Sequence, residues 1–376
     1  MRRQMLLLAV SLMSGVADSR VSCLYAATCQ RLNAMDAPAV DRRPSPGVAQ
    51  ARQRVPLKVF TDLGLTPEQT AAIDGGHPVA KAVSWGGQSE VYVFGAVHIE
   101  GSPEVYLKAA RDVGRLSGKP GYQGAGELRE NATVADLGAL AFDPDDVKAL
   151  EDCREGSCDV QLPTRAIQAF HDGVNWSAPD ALEQANALAR PMVLQLLQAY
   201  QKGGNRALGE YRDKQHPARI AEQFETMIGR ASALPDVLPG LRRYLREYPN
   251  ATLADADSFF YWEKVSFGMK PTIRVNHAVI YRGQTQGRDF GAVAIKQLYA
   301  SHYFHTALDM SVCIDDGAAT TPHGFYLLTL KGSEQEGLTG FKGSMIRKIV
   351  VDKTRSALET ALASIKSTVE QSAPRR

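Results

Sequence analysis

Apolar residues recur along this chain with two periods, and the change between them divides it. Thr66-Pro67-Glu68-Gln69 is a capping box with proline at the first helical position, opening a short helix that ends near Gly75-Gly76. Val79 to Ile99 then holds two strand-like runs separated by Gly86-Gly87, the stronger being Val91 to Ile99. Ser102-Pro103 caps a helix to about Leu116, with Val105, Ala109, Val113 and Leu116 on its apolar stripe. Gly118 to Gly126 reads as a glycine-rich loop. A phosphate-binding loop needs Gly-Lys-Ser/Thr opening a helix, and here Pro120 follows Lys119.

From about Val134 to Tyr248 the period is helical. Asp143-Pro144-Asp145-Asp146 starts one helix that stops before Cys153. Leu182, Ala185, Ala189, Met192, Leu196 and Tyr200 mark a second, which Pro191 kinks. Ile220, Phe224, Met227 and Ile228 line a third, and Leu238, Leu241, Tyr244, Leu245 and Tyr248 a fourth. Near Asp257 the period becomes two. Phe259 to Phe267, Thr272 to Arg282, Phe290 to Ala300, His302 to Ile314 and Gly324 to Lys331 read as strands. Their short connections imply an antiparallel meander. After Gly337, Gly340 and Gly343 comes a long final helix with Ile346, Ile349, Val350, Leu358, Leu362, Ile365 and Val369 on its apolar face.

Sheet and helices must share one core, so the expected class is α+β: a curved antiparallel sheet packed on a long C-terminal helix, with a large helical insertion. This order resembles the helix-grip fold of the START-like lipid-transfer superfamily. The residues that carry the resemblance are the strand Val91–Ile99, Ser102-Pro103-Glu104 opening a helix that holds Asp112, and the strand, glycine loop and helix from Gly324 to Glu370. The resemblance implies a ligand cavity between sheet and C-terminal helix. Cys153-Arg-Glu-Gly-Ser-Cys158, Phe260-Tyr261-Trp262 and Lys296 to Phe304 also resemble an uncharacterised family of exported bacterial proteins, which implies no activity.

The N-terminus changes the picture of compartment. Arg2 and Arg3 precede an apolar run from Met5 to Val16, and Gly15-Val16-Ala17 offers a cleavage site after Ala17. This is the pattern of a secretory signal peptide. The expected organisation is a signal peptide at 1–17, a flexible linker at 18–57 rich in proline, and one α+β domain at 58–376, of which 128–250 is the insertion. The chain is expected to be exported, periplasmic or secreted. Five cysteines follow Ala17. Gly156 and Ser157 let Cys153 and Cys158 close a local disulfide, the default in an oxidising compartment. Cys23 and Cys29 either pair or leave with the leader, and Cys313 is expected to be a buried free thiol.

With 43 Lys+Arg against 41 Asp+Glu the net charge is +2, and the basic excess lies in residues 1–57, which carry eight Arg, three Asp and no Lys or Glu. The remaining body has no basic footprint for nucleic acid. No later run reaches the roughly 18 apolar residues of a membrane span. There is no Gly-x-Ser-x-Gly elbow and no His-Glu-x-x-His helix, and no cofactor or metal is expected.

Candidate chemistry concentrates in the strands. Arg274 and Asn276 alternate with Ile273, Val275 and His277, so one face is polar, while Lys296 faces opposite to Ile295 and Gln297. Turned inward, Arg274 or Lys296 holds an anionic head group. Turned outward, they are solvated charges, the commoner case. The candidate ligand-binding set is Trp262, Arg274, His277, Lys296, Tyr299, His302, Tyr303 and His305. Three readings follow: an exported carrier of a small hydrophobic or amphipathic ligand, an envelope hydrolase using His277, His302 or His305 with Asp309, or an envelope interaction protein that docks a partner through its helical segment.

Overall fold

The computed structural model describes residues 57–231, 234, 238–266, 270–285, 288–317 and 324–372. The expected leader, the linker up to residue 56, Cys23, Cys29 and His323 lie outside the described residues. Helices α1 (Lys58–Asp62) and α2 (Pro67–Asp74) lead to β1 (Val79–Val83) and β2 (Glu90–Glu100). Helix α3 (Pro103–Arg111) and a 3-10 turn, Val113–Gly118, precede β3 (Tyr122–Leu128). A helical segment follows: α4 (Pro144–Glu151), α5 (Thr164–Gly173), α6 (Ala181–Gly203), the two-residue strands β4 (Glu210–Tyr211) and β5 (Ala218–Arg219), α7 (Ile220–Arg230) and α8 (Pro239–Glu247). The chain closes with β6 (Ala256–Val265), β7 (Thr272–Thr285), β8 (Arg288–Ala300), β9 (Phe304–Asp315), β10 (Gly324–Gln335) and α9 (Gly340–Gln371).

The fold is α+β. Eight strands form one curved, antiparallel, open sheet in the order β1-β2-β10-β9-β8-β7-β6-β3. The expected meander is β6 to β10, and β2 then pairs with β10 along eleven residues from Glu100↔Gly324 to Glu90↔Glu334. Both faces of the sheet are covered, which is why its strands read as runs of apolar residues with only partial alternation. On one face Phe260, Val279, Met310 and Leu328 pack with Phe170, Leu197, Phe224 and Leu241 of the helical segment. On the other, Val93, Val97, Phe325 and Leu327 meet Leu358, Leu362 and Val369 of α9, and Ile280 and Val293 meet Leu107 and Val113.

Gly95 sets the seat of α9. A Cβ there would stand 2.7 Å from Leu358 Cδ2 and 2.9 Å from Leu362 Cδ1, so the bare backbone lets both leucines down onto β2. Each of these fully buried leucines stabilises the layer by roughly 1.5–3 kcal/mol.

Three local expectations are corrected. The helix expected to reach Leu116 ends at Arg111, because Asp112 turns extended (φ −85°, ψ 90°) before the 3-10 turn. The glycine-rich stretch is part loop and part strand, since β3 begins at Tyr122 and pairs with β6. Its glycines make room for an indole: a Cβ on Gly126 would lie 2.6 Å from Trp262 Nε1. Finally, His302 is not in a strand. Ser301 to Tyr303 form a tight connection between β8 and β9, with Tyr303 at φ +65°.

Candidate functional site

A cavity lies on each face of the sheet. The first, of about 330 Å³, lies between the sheet and α5–α6. Its helical wall is Ala166, Phe170, Ala189, Met192 and Leu196, with Phe142 just ahead of α4, and its sheet wall is Ile273, Leu298 and Tyr299. Small alanines on α5 and α6 leave the space, and large apolar side chains around them dry it. Arg165 and Gln195 are its polar members on the helices.

A β-bulge aims Tyr299 into this space. Val275 pairs with Tyr299 and Asn276 with Gln297, so Leu298 is an extra residue in β8. Without the bulge Tyr299 would share the face of Gln297. With it, Leu298 and Tyr299 both face the cavity. Tyr299 is 7% exposed and its hydroxyl has no hydrogen-bond partner. Burial, then the nearby Tyr211 phenol, holds the Tyr299 hydroxyl well above its ordinary value, so it stays a neutral donor. Its ring packs edge-on to Tyr211, 6.1 Å between centroids.

The rim beside it is tied down through the disulfide loop. Cys153 and Cys158 are bonded, with Cα atoms 4.5 Å apart, and Gly156 takes φ +78° in the turn. Gly156 N donates to Arg212 O at 2.8 Å and Cys158 N to Asp213 O at 2.9 Å. Three residues on, Gln161 Nε2 donates to Ala300 O at 2.9 Å and to Phe304 O at 3.1 Å. Leu162 and Pro163 then line the cavity.

The second cavity, about 380 Å³, lies under α9, where sheet, α3 and the 3-10 turn meet it. Its helical wall is apolar, with Leu358, Leu362, Ile365 and Val369, but its floor on the sheet is polar: Tyr122, Tyr261, Glu263, Arg274, Asp309, Ser311, Thr329 and Lys331. That floor satisfies itself. Arg274 Nη1 bonds Glu263 Oε1 at 2.9 Å and its Nε bonds Gln297 Oε1 at 3.0 Å. Lys331 pairs with Asp309, and Ser311 with Thr329 at 3.0 Å.

The candidate residues are therefore split by the sheet. Arg274 faces the cavity under α9, already paired. Tyr299 lines the opposite cavity. Lys296 and His277 share the face of Tyr299 but belong to a closed network. Lys296 Nζ bonds Tyr200 OH at 3.2 Å and Asn205 Oδ1, and lies 4.6 Å from the centre of the Phe224 ring. Tyr200 OH lies 3.0 Å from His277 Nδ1, and His277 Nε2 lies 2.8 Å from Ser258 Oγ. Burial pushes Lys296 down to about 7; burial, then the charge of Lys296, pushes His277 down to about 3. A neutral imidazole accepting at Nδ1 and donating at Nε2 fits this chain.

Trp262 is buried against the β3 glycines with its Nε1 unpartnered. His302 spans two segments, with Nδ1 3.0 Å from Asp159 O and Nε2 3.1 Å from Asp146 Oδ1. The Tyr303 hydroxyl accepts from Lys270 N at 3.1 Å, and His305 stands edge-on to Tyr211 at 6.4 Å. The three candidate histidines thus have separate partners, while Asp309 is on the α9 face with Lys331. Among the described residues no group of three or more His, Cys, Asp or Glu is placed to hold a metal, and no helix is long and apolar enough to cross a membrane.

No family model, characterised protein or solved structure matches this chain. The site must be read from its own geometry. Tyr299 was legible as an aromatic in a strand. The helical wall was legible only as core stripe, because Met192 and Leu196 at helical spacing look the same whether they face packing or space.

Proposed function

We propose that this is an exported binding or carrier protein for a small, largely apolar molecule with one hydrogen-bond acceptor, held between the sheet and α5–α6. The observation that carries the reading is an apolar cavity lined in part by Tyr299, a residue whose buried hydroxyl has no hydrogen-bond partner. Leaving a buried hydroxyl unpaired costs about 1–3 kcal/mol, and a ligand oxygen removes that cost. The volume is at the small end of ligand pockets, so it suits a ring system or a short acyl chain rather than a two-chain lipid. Arg165 at the helical wall would favour a ligand whose far end is anionic. The disulfide supports an oxidising, exported setting.

The cavity under α9 is the second reading, favoured by its pairing of an apolar helix wall with a polar floor. The charges on its sheet floor are already paired, Arg274 with Glu263 and Lys331 with Asp309, so a ligand gains less from polar contact with that floor.

Titration calorimetry with 1-acetonaphthone and 1-ethylnaphthalene tests the first reading. The two are alike in shape, and only the ketone offers an acceptor. The ketone should bind better, and Tyr299→Phe should weaken it about three- to tenfold while leaving the hydrocarbon unchanged. Equal loss for both probes, or binding of neither, counts against the site.

A further inference from the structure

The first half of α9 does not behave as the cover of a core. Phe341 is 87% exposed and Met345 62%, and Ile346 and Ile349 are exposed with them. In the second half, by contrast, Leu358, Leu362 and Val369 are buried. At 3.6 residues per turn, Phe341, Met345 and Ile349 form one stripe about 80° wide. Lys342 flanks it on one side and Lys348 on the other; Lys353 and Arg355 continue these rows one turn beyond the stripe, where the exposed Asp352 stands on its line. None of these four cations makes an ion pair among the described residues, and Asp352 is the sole acid between Gly340 and Arg355. Arg347 turns inward instead, its Nη2 donating to Glu90 O at 3.1 Å. Val350 and Val351 pack toward the sheet. The helix is therefore anchored on one side and presents an apolar stripe between two rows of free cations on the other.

We propose that this face docks the protein on an anionic membrane surface. An apolar stripe that includes a phenylalanine, bordered by Lys and Arg, is the pattern of an interfacial helix: the ring and thioether enter the acyl boundary, and the flanking chains reach out to phosphates. Each such cation strengthens binding to an anionic surface about fivefold. A second copy of the chain fits less well. A two-fold pairing of this face would set the same cations against one another across an apolar centre. The inference is independent of the cavity, because the stripe is on a different element and uses none of its residues.

The test is co-sedimentation of the purified protein with vesicles of phosphatidylcholine alone and of equal parts phosphatidylcholine and phosphatidylglycerol. Partition into the anionic vesicles should exceed that into the neutral ones by about tenfold or more, and should fall as salt rises. Phe341→Ser/Met345→Ser should lower it about tenfold and Lys342→Glu/Lys348→Glu at least about 25-fold, with thermal melting unchanged because all four side chains are exposed. Equal binding by parent and variants, equal partition into neutral vesicles, or binding to neither overturns the proposal. A concentration-dependent dimer in sedimentation velocity that Phe341→Ser abolishes would assign the face to a second copy instead. The naphthyl probes serve as the control: their binding should be unchanged in all these variants, so failure here and failure of the cavity reading are told apart.

Discussion

The ammonium of Lys296 lies 3.2 Å from the hydroxyl of Tyr200, with Asn205 on its other side and no carboxylate among the described residues within ion-pair distance. A fully buried lysine held only by neutral oxygens and two aromatic rings is charged at a cost. This sets the sign of its pH dependence. Its value falls from the ordinary 10.5 to about 7 in the folded chain. Below 7 both states hold the proton and the folded state bears the full cost of the buried charge. Between 7 and 10.5 the unfolded state binds more protons, so stability rises with pH. Lys296→Met should be more stable than the parent at pH 6, and the gap should shrink across that window. Urea unfolding at several pH values measures it. A loss of stability in Lys296→Met at pH 6 would show that the cation is paired after all.

Arg274 presents the opposite case. Its partner Glu263 is 3% exposed at the side chain and also accepts from Asn276 Nδ2 at 3.2 Å. Arg274→Met strands that carboxylate and should cost about 3 kcal/mol. Arg274→Met/Glu263→Gln should recover part of the loss. A single-variant loss below about 1 kcal/mol in urea unfolding would mean that Glu263 reaches water or a proton.

The disulfide closes a five-residue separation, and its loop bonds to the segment that borders the cavity. Cys153→Ala/Cys158→Ala should lower stability by roughly 2 kcal/mol, the chain-entropy value for so short a loop. Probe affinity should fall with it, since Leu162 and Pro163 follow directly. Unchanged affinity with reduced stability would confine the bond to a structural role.

Gly126 and Gly118 make a matched pair. Gly126→Ala drives a methyl toward the buried Trp262 ring and should cost about 1–3 kcal/mol. A methyl on Gly118 would meet nothing within 4 Å, so Gly118→Ala should be neutral within about 0.5 kcal/mol. Equal effects in thermal unfolding would show that β3 is not held against Trp262.

Much of the architecture was readable from local patterns. The capping box at Thr66, the helix stripes at Phe224 and Leu241, and the five-strand meander rest on signals within a few residues, and each is found where the pattern put it. The α+β class and the Cys153–Cys158 bond followed for the same reason. A turn containing Gly156 brings two cysteines together without help from the rest of the chain.

What alternation within one strand cannot carry is register and facing, which depend on the neighbouring strands. The extra residue Leu298 in β8 moves Tyr299 from the face of Gln297 to the face of Leu298. Strict alternation conceals that shift, because a bulge is defined only by its partner strand. The same holds for Lys296 and Arg274, two strand cations that look equivalent in the chain. One is buried among neutral groups beneath α6 and α7, the other paired beneath α9. Sequence alone determined most of the strands and helices, β3 and the end of α3 apart, and where the disulfide closes, since short-range sterics and periodicity decide those. Only the tertiary structure decided which side of the sheet each polar group faces, where alanines leave a space and which hydroxyl remains unpaired, because those follow from packing between residues far apart in the chain.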